Sequence, residues 1–264
     1  MNRSVAATLA VLWVLLLGAC ASGPSADPSR GWTVEKLYAE AKDELNGGNY
    51  KKAVEYYEKL ESRFPYGRYA QQAALEVAYA YFRQRESASA IAACDRYIKL
   101  YPNAPNVDYA YYLKGLVSFN EDLGLIAKLS SQDMTERDPK AMQESFDALR
   151  ELVTRFPESK YTPDALQRMR YLVNALAAYE VKVAEYYLRR RAYVAAVNRA
   201  QSAITTFEAA PALERAFLVL IRSYQAMGLT DLQQDAERLL QANFPDSPLL
   251  KETRSDVSWW RRLY

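Results

Sequence analysis

Groups able to do covalent or acid–base chemistry are scarce in this sequence. Histidine is absent, which removes the commonest general base, the commonest metal ligand and the usual partner of a catalytic serine or cysteine. Asp and Glu are scattered over helical surfaces with no pair that falls in one pocket. There is no phosphate-cradling glycine loop and no metal-ligand cluster, so catalysis, a metal and a bound cofactor are not expected. One thiol is placed for chemistry. Cys20 closes the run Leu17-Gly18-Ala19-Cys20, directly behind an apolar stretch from Val5 to Leu17 and a short positive start, Met1-Asn2-Arg3. A membrane span needs about 20 apolar residues, and here the chain turns polar at once through Gly23-Pro24-Ser25-Ala26-Asp27-Pro28. Residues 1–19 therefore read as a signal peptide, and Cys20 as the attachment site of a covalent lipid.

The run before Cys20 resembles the bacterial lipoprotein box, in which the cysteine becomes the lipidated first residue. Ala21, rather than Asp, follows it, and that resemblance implies sorting to the outer membrane and a lipid anchor at its periplasmic face. An ordinary secretory signal with an incidental cysteine is the competing reading; in both, the mature chain works outside the cytoplasm. Cys94 is then the only other cysteine, so the mature form has no internal disulfide and Cys94 reads as a small core residue in an Ala-rich helix. Half the residues are apolar, enough for packing to hold the fold. A formal net charge of +2 gives no electrostatic case for nucleic acid or a strongly anionic membrane.

Helical periodicity is found almost everywhere, and it repeats. A small residue is followed at +4 and +7 by residues on the same helix face, then at +11 and +12 by an aromatic and a proline or its substitute. Ala53, Tyr57, Leu60, Phe64 and Pro65 show this most fully. Further copies end at Tyr101-Pro102, Phe156-Pro157, Phe207-Glu208 and Phe244-Pro245, with successive spacings of 37, 55, 51 and 37. In the fifth copy Gln233 and Glu237 stand where small and aromatic residues are expected. The small residue permits close helix crossing and the proline stops the helix. A second small residue lies upstream of each of four copies, at Ala41, Ala78, Gly115 (with a shift) and Ala184. The pattern resembles the tetratricopeptide repeat, so the expected fold is all-α, a superhelix of about five helix pairs. An unrelated helical bundle is the alternative.

The two long spacings mark insertions. About 18 extra residues from roughly Glu121 to Pro139, carrying Ser130-Ser131-Gln132-Asp133 and Arg137-Asp138-Pro139, predict a long loop. The other 14 are helical in pattern and predict one long helix from Thr162 to Arg190 that braces the two halves. The expected organisation is a signal peptide at 1–19, a lipidated linker at 20–32 and N-terminal repeats at 33–120. The insertion follows at 121–139, then C-terminal repeats at 140–247 and a tail at 248–264.

Several runs narrow the resemblance. They are Asn49-Tyr50 through Phe64-Pro65-Tyr66-Gly67 with Tyr69-Ala70-Gln71-Gln72, Pro105-Asn106-Val107-Asp108-Tyr109, Arg137-Asp138-Pro139, and Tyr179-Glu180 through Val183-Ala184-Glu185-Tyr186-Tyr187 to Val197-Asn198-Arg199. Together with the lipobox and both insertions they resemble the BamD/ComL family, lipoproteins of the outer-membrane β-barrel assembly machinery. The fifth repeat, the loop between Glu121 and Glu136 and the tail ending Trp259-Trp260-Arg261-Arg262 depart from the family. The resemblance implies a non-catalytic scaffold that binds the central barrel subunit through its periplasmic domains, works beside accessory lipoproteins and accepts unfolded outer-membrane proteins. In the family the N-terminal repeats serve substrates and the C-terminal repeats serve partner subunits.

In tetratricopeptide arrays the first helix of each pair lines the concave face. The register then projects Tyr38, Lys42 and Asn46, next Gln72, Tyr79 and Arg83, and next Tyr109, Tyr112 and Asn120 onto a peptide-binding groove. Aromatics among a few positive and amide groups suit an extended peptide with aromatic side chains and a terminal carboxylate; packing between repeats is the alternative for each tyrosine. Arg199 takes a partner-binding role from the family resemblance, a solvated surface charge being the alternative. Trp259 and Trp260 suit docking on a neighbour or headgroups, against a disordered tail. A periplasmic adaptor coordinating cell-wall synthesis or envelope constriction is the competing function, and a peptidoglycan enzyme a more distant one.

Overall fold

The computed structural model describes residues 27–120 and 138–250. The signal peptide, Cys20, insertion residues 121–137 and the Trp259-Trp260 pair lie outside them. Among the described residues there are ten helices and no strand: α1 (Val34–Asn46), α2 (Tyr50–Arg63), α3 (Arg68–Gln84), α4 (Ser87–Leu100), α5 (Val107–Asn120), α6 (Pro139–Arg155), α7 (Thr162–Arg189), α8 (Tyr193–Thr206), α9 (Leu213–Met227) and α10 (Thr230–Asn243). Each packs on the next, giving five helix pairs in the all-α tetratricopeptide-like arrangement. The first helices of successive pairs also meet one another, α1 with α3, α3 with α5 and α7 with α9. Helices on the inner side of a curved stack approach most closely, so these odd-numbered helices form the concave layer.

The spaced small residues are the crossing points. Ala41, Ala53, Ala78, Ala90, Ala184, Ala196 and Ser145 are fully buried. At Gly115 an added Cβ would lie 2.4 Å from Leu149 Cδ2, and the buried Ser145 hydroxyl donates to the Gly115 carbonyl at 2.8 Å. The +4 and +7 positions are filled by residues such as Tyr57, Leu60, Leu149 and Leu152, each with no exposed surface. In the fifth repeat the misfit residues solve their own problem, Gln233 donating to Glu237 at 2.9 Å.

All five even-numbered helices end alike. The aromatic at +11 donates its backbone N–H to the carbonyl four residues back, at 2.8–3.0 Å, and leaves the helix near φ −130°. A following proline bars the helical conformation at the residue before it, so the chain stops there. In repeat four, Glu208 replaces the proline and Ala209 takes φ 60° instead.

The structure revises two expected boundaries. Asp138 and Pro139 are not loop: Asp138 accepts the Lys140 backbone N–H at 2.9 Å and Pro139 opens α6, the usual division of labour between an N-cap and a first helical residue. The expected linker is folded from Asp27 onward, in turns closed by Arg30 N–H to the Asp27 carbonyl (3.1 Å) and Trp32 N–H to the Ser29 carbonyl (3.0 Å). The long helix is as expected, ending one residue earlier at Arg189. Ala165, Leu172, Ala175 and Leu176 of α7 belong to the central apolar cluster, while Ala177, Val181 and Ala184 belong to the C-terminal one. One rigid element therefore serves both.

Candidate functional site

Seven of the nine projected groove residues gather into three groups along the concave layer. The first is built on Glu76 of α3, whose carboxylate takes the Tyr38 hydroxyl at 2.9 Å and the Lys42 ammonium at 2.8 Å from α1. It also takes the Tyr57 hydroxyl from α2 and the Gln72 amide at 3.5 Å. The Tyr38 ring lies 5.8 Å from Tyr57 and 5.2 Å from Tyr69. Burial, then the Glu76 charge, raises the Tyr38 hydroxyl far above the ordinary phenol range, and burial with the Glu76 hydrogen bond does the same to Tyr57. Both stay protonated donors. Asn46, the exposed last residue of α1, joins none of these groups.

The second group centres on Arg83 at the end of α3. Its guanidinium donates to the Tyr79 hydroxyl at 2.7 Å and lies 4.9 Å from the Tyr50 ring centre and 5.7 Å from that of Tyr79. Among the described residues it meets no carboxylate. The side chain is exposed, so this is a cation held beside two aromatic rings with its charge open to a ligand.

The third group joins α5 to α7. Tyr112 stacks on Tyr161 at 4.7 Å and 15°, and its hydroxyl donates to Asp164 at 2.7 Å. Tyr109 flanks the same ring at 5.4 Å, with burial raising its hydroxyl above the usual range. Arg168 binds Asp164 at 2.5 Å and covers the Phe119 ring at 4.7 Å. Burial works against the Asp164 charge, but its bonds from Arg168 and Tyr112 outweigh burial and hold the carboxyl below its ordinary value. Asn120 is the last residue of α5.

Register alone missed Glu76, Asp164 and Tyr161. One signal existed: Glu76 is the single acid in α3, a helix otherwise built of Ala, aliphatic, aromatic, amide and basic residues. At the other end of the chain, Arg199 of α8 is exposed and pairs with Glu180 of α7 at 3.0 Å. Arg215 of α9 pairs with Glu185, also on α7, at 2.8 Å.

Stacked helix pairs with an inner face of aromatic and charged side chains define a tetratricopeptide-like repeat protein built around a continuous surface. No group of three His, Cys, Asp or Glu side chains among the described residues is placed to hold a metal. Residues 31–239 match the family described as outer membrane lipoprotein (YfiO). The outer membrane protein assembly factor BamD of Neisseria meningitidis serogroup B is 49% identical over 253 residues, covering 94% of this chain and 95% of its own. The proteins of that name from Xylella fastidiosa (strain Temecula1) and Vibrio cholerae are 36% and 35% identical, covering 93% and 88% of this chain and 83% and 96% of theirs. The chain belongs to the BamD family.

Proposed function

We propose that this chain is a non-catalytic scaffold for outer-membrane protein assembly, anchored through a lipid on Cys20 at the periplasmic face of the outer membrane. The concave layer of α1, α3 and α5 takes extended segments of unfolded outer-membrane proteins. The C-terminal repeats, with Arg199, contact the central barrel subunit, and accessory lipoproteins complete the assembly. The relatives' shared name supports the setting, and Arg83 carries the reading of the groove. An arginine held beside the Tyr50 and Tyr79 rings without a carboxylate suits a peptide that ends in an aromatic residue and a free carboxylate. Stacking supplies affinity for the aromatic, and the guanidinium supplies the charge-assisted bond.

The test uses a peptide with a C-terminal phenylalanine, free and amidated. Binding to the wild-type chain is expected to be about tenfold weaker for the amidated form, a charged hydrogen bond contributing roughly 1.5–3 kcal/mol. Arg83→Ala is expected to abolish that difference. Equal affinity for both forms in the wild type overturns the assignment. In cells, Arg199→Glu is expected to reduce co-purification of the central barrel subunit without unfolding the chain, and unchanged recovery counts against that contact.

A further inference from the structure

The segment that follows the lipid-bearing cysteine is latched to the first repeat. Asp27 accepts the backbone N–H of Ser29 at 3.0 Å and its hydroxyl at 2.7 Å. Its carboxylate also meets Lys59 at 3.2 Å and Arg63 at 2.5 Å, both on α2. Arg63 donates a second bond, to the Ser29 carbonyl at 2.5 Å, and Ser29 has no exposed surface. Trp32 lies 5.6 Å from the Tyr56 ring. Chain reach follows from this. Between Cys20 and the latch stand only residues 21–26, whose reach is at most about 25 Å, against roughly 45 Å were the chain free up to α1.

The latch fixes where that tether arrives, at the C-terminal end of α2. Three residues beyond Arg63 is Tyr66, 90% exposed, in a turn where Gly67 adopts φ 96° and redirects the chain into α3. Among the described residues, no other large apolar side chain before Leu100 is exposed. A tyrosine has an apolar ring and a polar tip, the combination that sits at headgroup level in bilayers.

We propose that the Pro65-Tyr66-Gly67 turn is a membrane-abutting corner, seated on the headgroup layer of the bilayer that carries the Cys20 lipid and oriented by the Asp27–Arg63 latch. The inference rests on lipidation of Cys20. The occupant is the bilayer rather than a protein because the anchor enters the fold at this corner on a short tether. The lipid and the tyrosine form two points of attachment, and they set the first repeat at a fixed attitude to the membrane instead of letting it swing.

The experiment uses the full lipidated chain in vesicles of phosphatidylethanolamine and phosphatidylglycerol. Tyr66→Cys or Val194→Cys carries a nitrobenzoxadiazole label; Cys94 is fully buried, so in the folded protein the introduced thiol is the one labelled. Headgroup spin-labelled lipid is expected to quench position 66 several-fold more than position 194, which lies on α8. Arg63→Ala, or Asp27→Asn should the first variant fold poorly by circular dichroism, is expected to lower quenching at 66 toward that at 194. Flotation with the vesicles but equal quenching at both positions overturns the proposal alone. So does quenching unchanged by both latch variants, or quenching at 66 that needs an added protein partner. Failure of the unaltered chain to float overturns the lipid anchor and this proposal together.

Discussion

Gly115 shows what one atom decides in this fold. An alanine Cβ there would also lie 2.6 Å from Leu149 Cγ, and Leu149 is fully buried and has no solvent to swing into. Gly115→Ala improves helix propensity by about 1 kcal/mol, yet overpacking costs typically 1–3 kcal/mol and wins. The variant is expected to lose up to about 2 kcal/mol in urea unfolding, and a gain in stability would show that α5 and α6 can separate freely. Ser223 of α9 is the opposite case. Its buried hydroxyl finds no partner among the described residues, so Ser223→Ala removes an unsatisfied polar group and is expected to raise stability by about 1 kcal/mol by the same measurement. Neither outcome is readable from residue type alone. A glycine and a serine in a helix look like weak choices until the neighbouring helix is in place.

In four of the five pairs the two helices are joined by a turn that the sequence hides. Gly48, Arg85, Arg191 and Gly228 all take the left-handed conformation, at φ 82°, 62°, 59° and 74°. The next residue in each case bonds back five positions, at 2.8–3.0 Å, the bond of a Schellman cap. Two of the four sites carry arginine, so no glycine pattern marks them, whereas the aromatic-proline stop was legible because its chemistry is in the side chains. A non-glycine residue in this conformation costs about 1–2 kcal/mol, partly offset by glycine's greater freedom in the unfolded chain. Arg85→Gly is therefore expected to raise the urea midpoint, by the equivalent of about 0.5 kcal/mol. A fall in the midpoint would mean that the arginine side chain holds the turn. The α6 start was misread for a related reason. Asp138-Pro139 serves a loop or a helix start equally well, and the helix that follows decides.

Across the whole molecule, burial sets the response to pH. It pushes the Cys94 thiol up to about 12 and, with Glu76, raises Tyr38 and Tyr57 well above the phenol range; burial alone dominates at Tyr109. Each group holds its proton more tightly folded than unfolded. Their contribution is thus complete below the unfolded values and is lost as pH rises, from about 8.5 for the thiol and about 10 for the phenols. Urea midpoints are expected to stay level between pH 7 and 8 and to fall steadily toward pH 11. A midpoint that rises over that interval would contradict the burial of these groups. The long α7, shared by two apolar clusters, makes the fall cooperative, since losing either cluster strips one half of the same helix.

The sequence by itself determined the class of fold, the five-fold register, the long helix and the family. These depend on periodic small and aromatic residues, on proline stops and on runs of matching residues, all properties carried along the chain. It also selected most of the side chains that line the concave layer, because register fixes which face a residue occupies. Only the tertiary structure decided how those side chains pair. Glu76 gathers donors from three helices, Arg83 is left without an acid, and Asp27 folds the expected linker onto α2. Such partners lie up to about fifty residues apart in the chain, as Tyr112 and Asp164 do, and are brought together by the crossing angles of stacked helices. Periodicity within one helix carries no information about where another helix will place its charge.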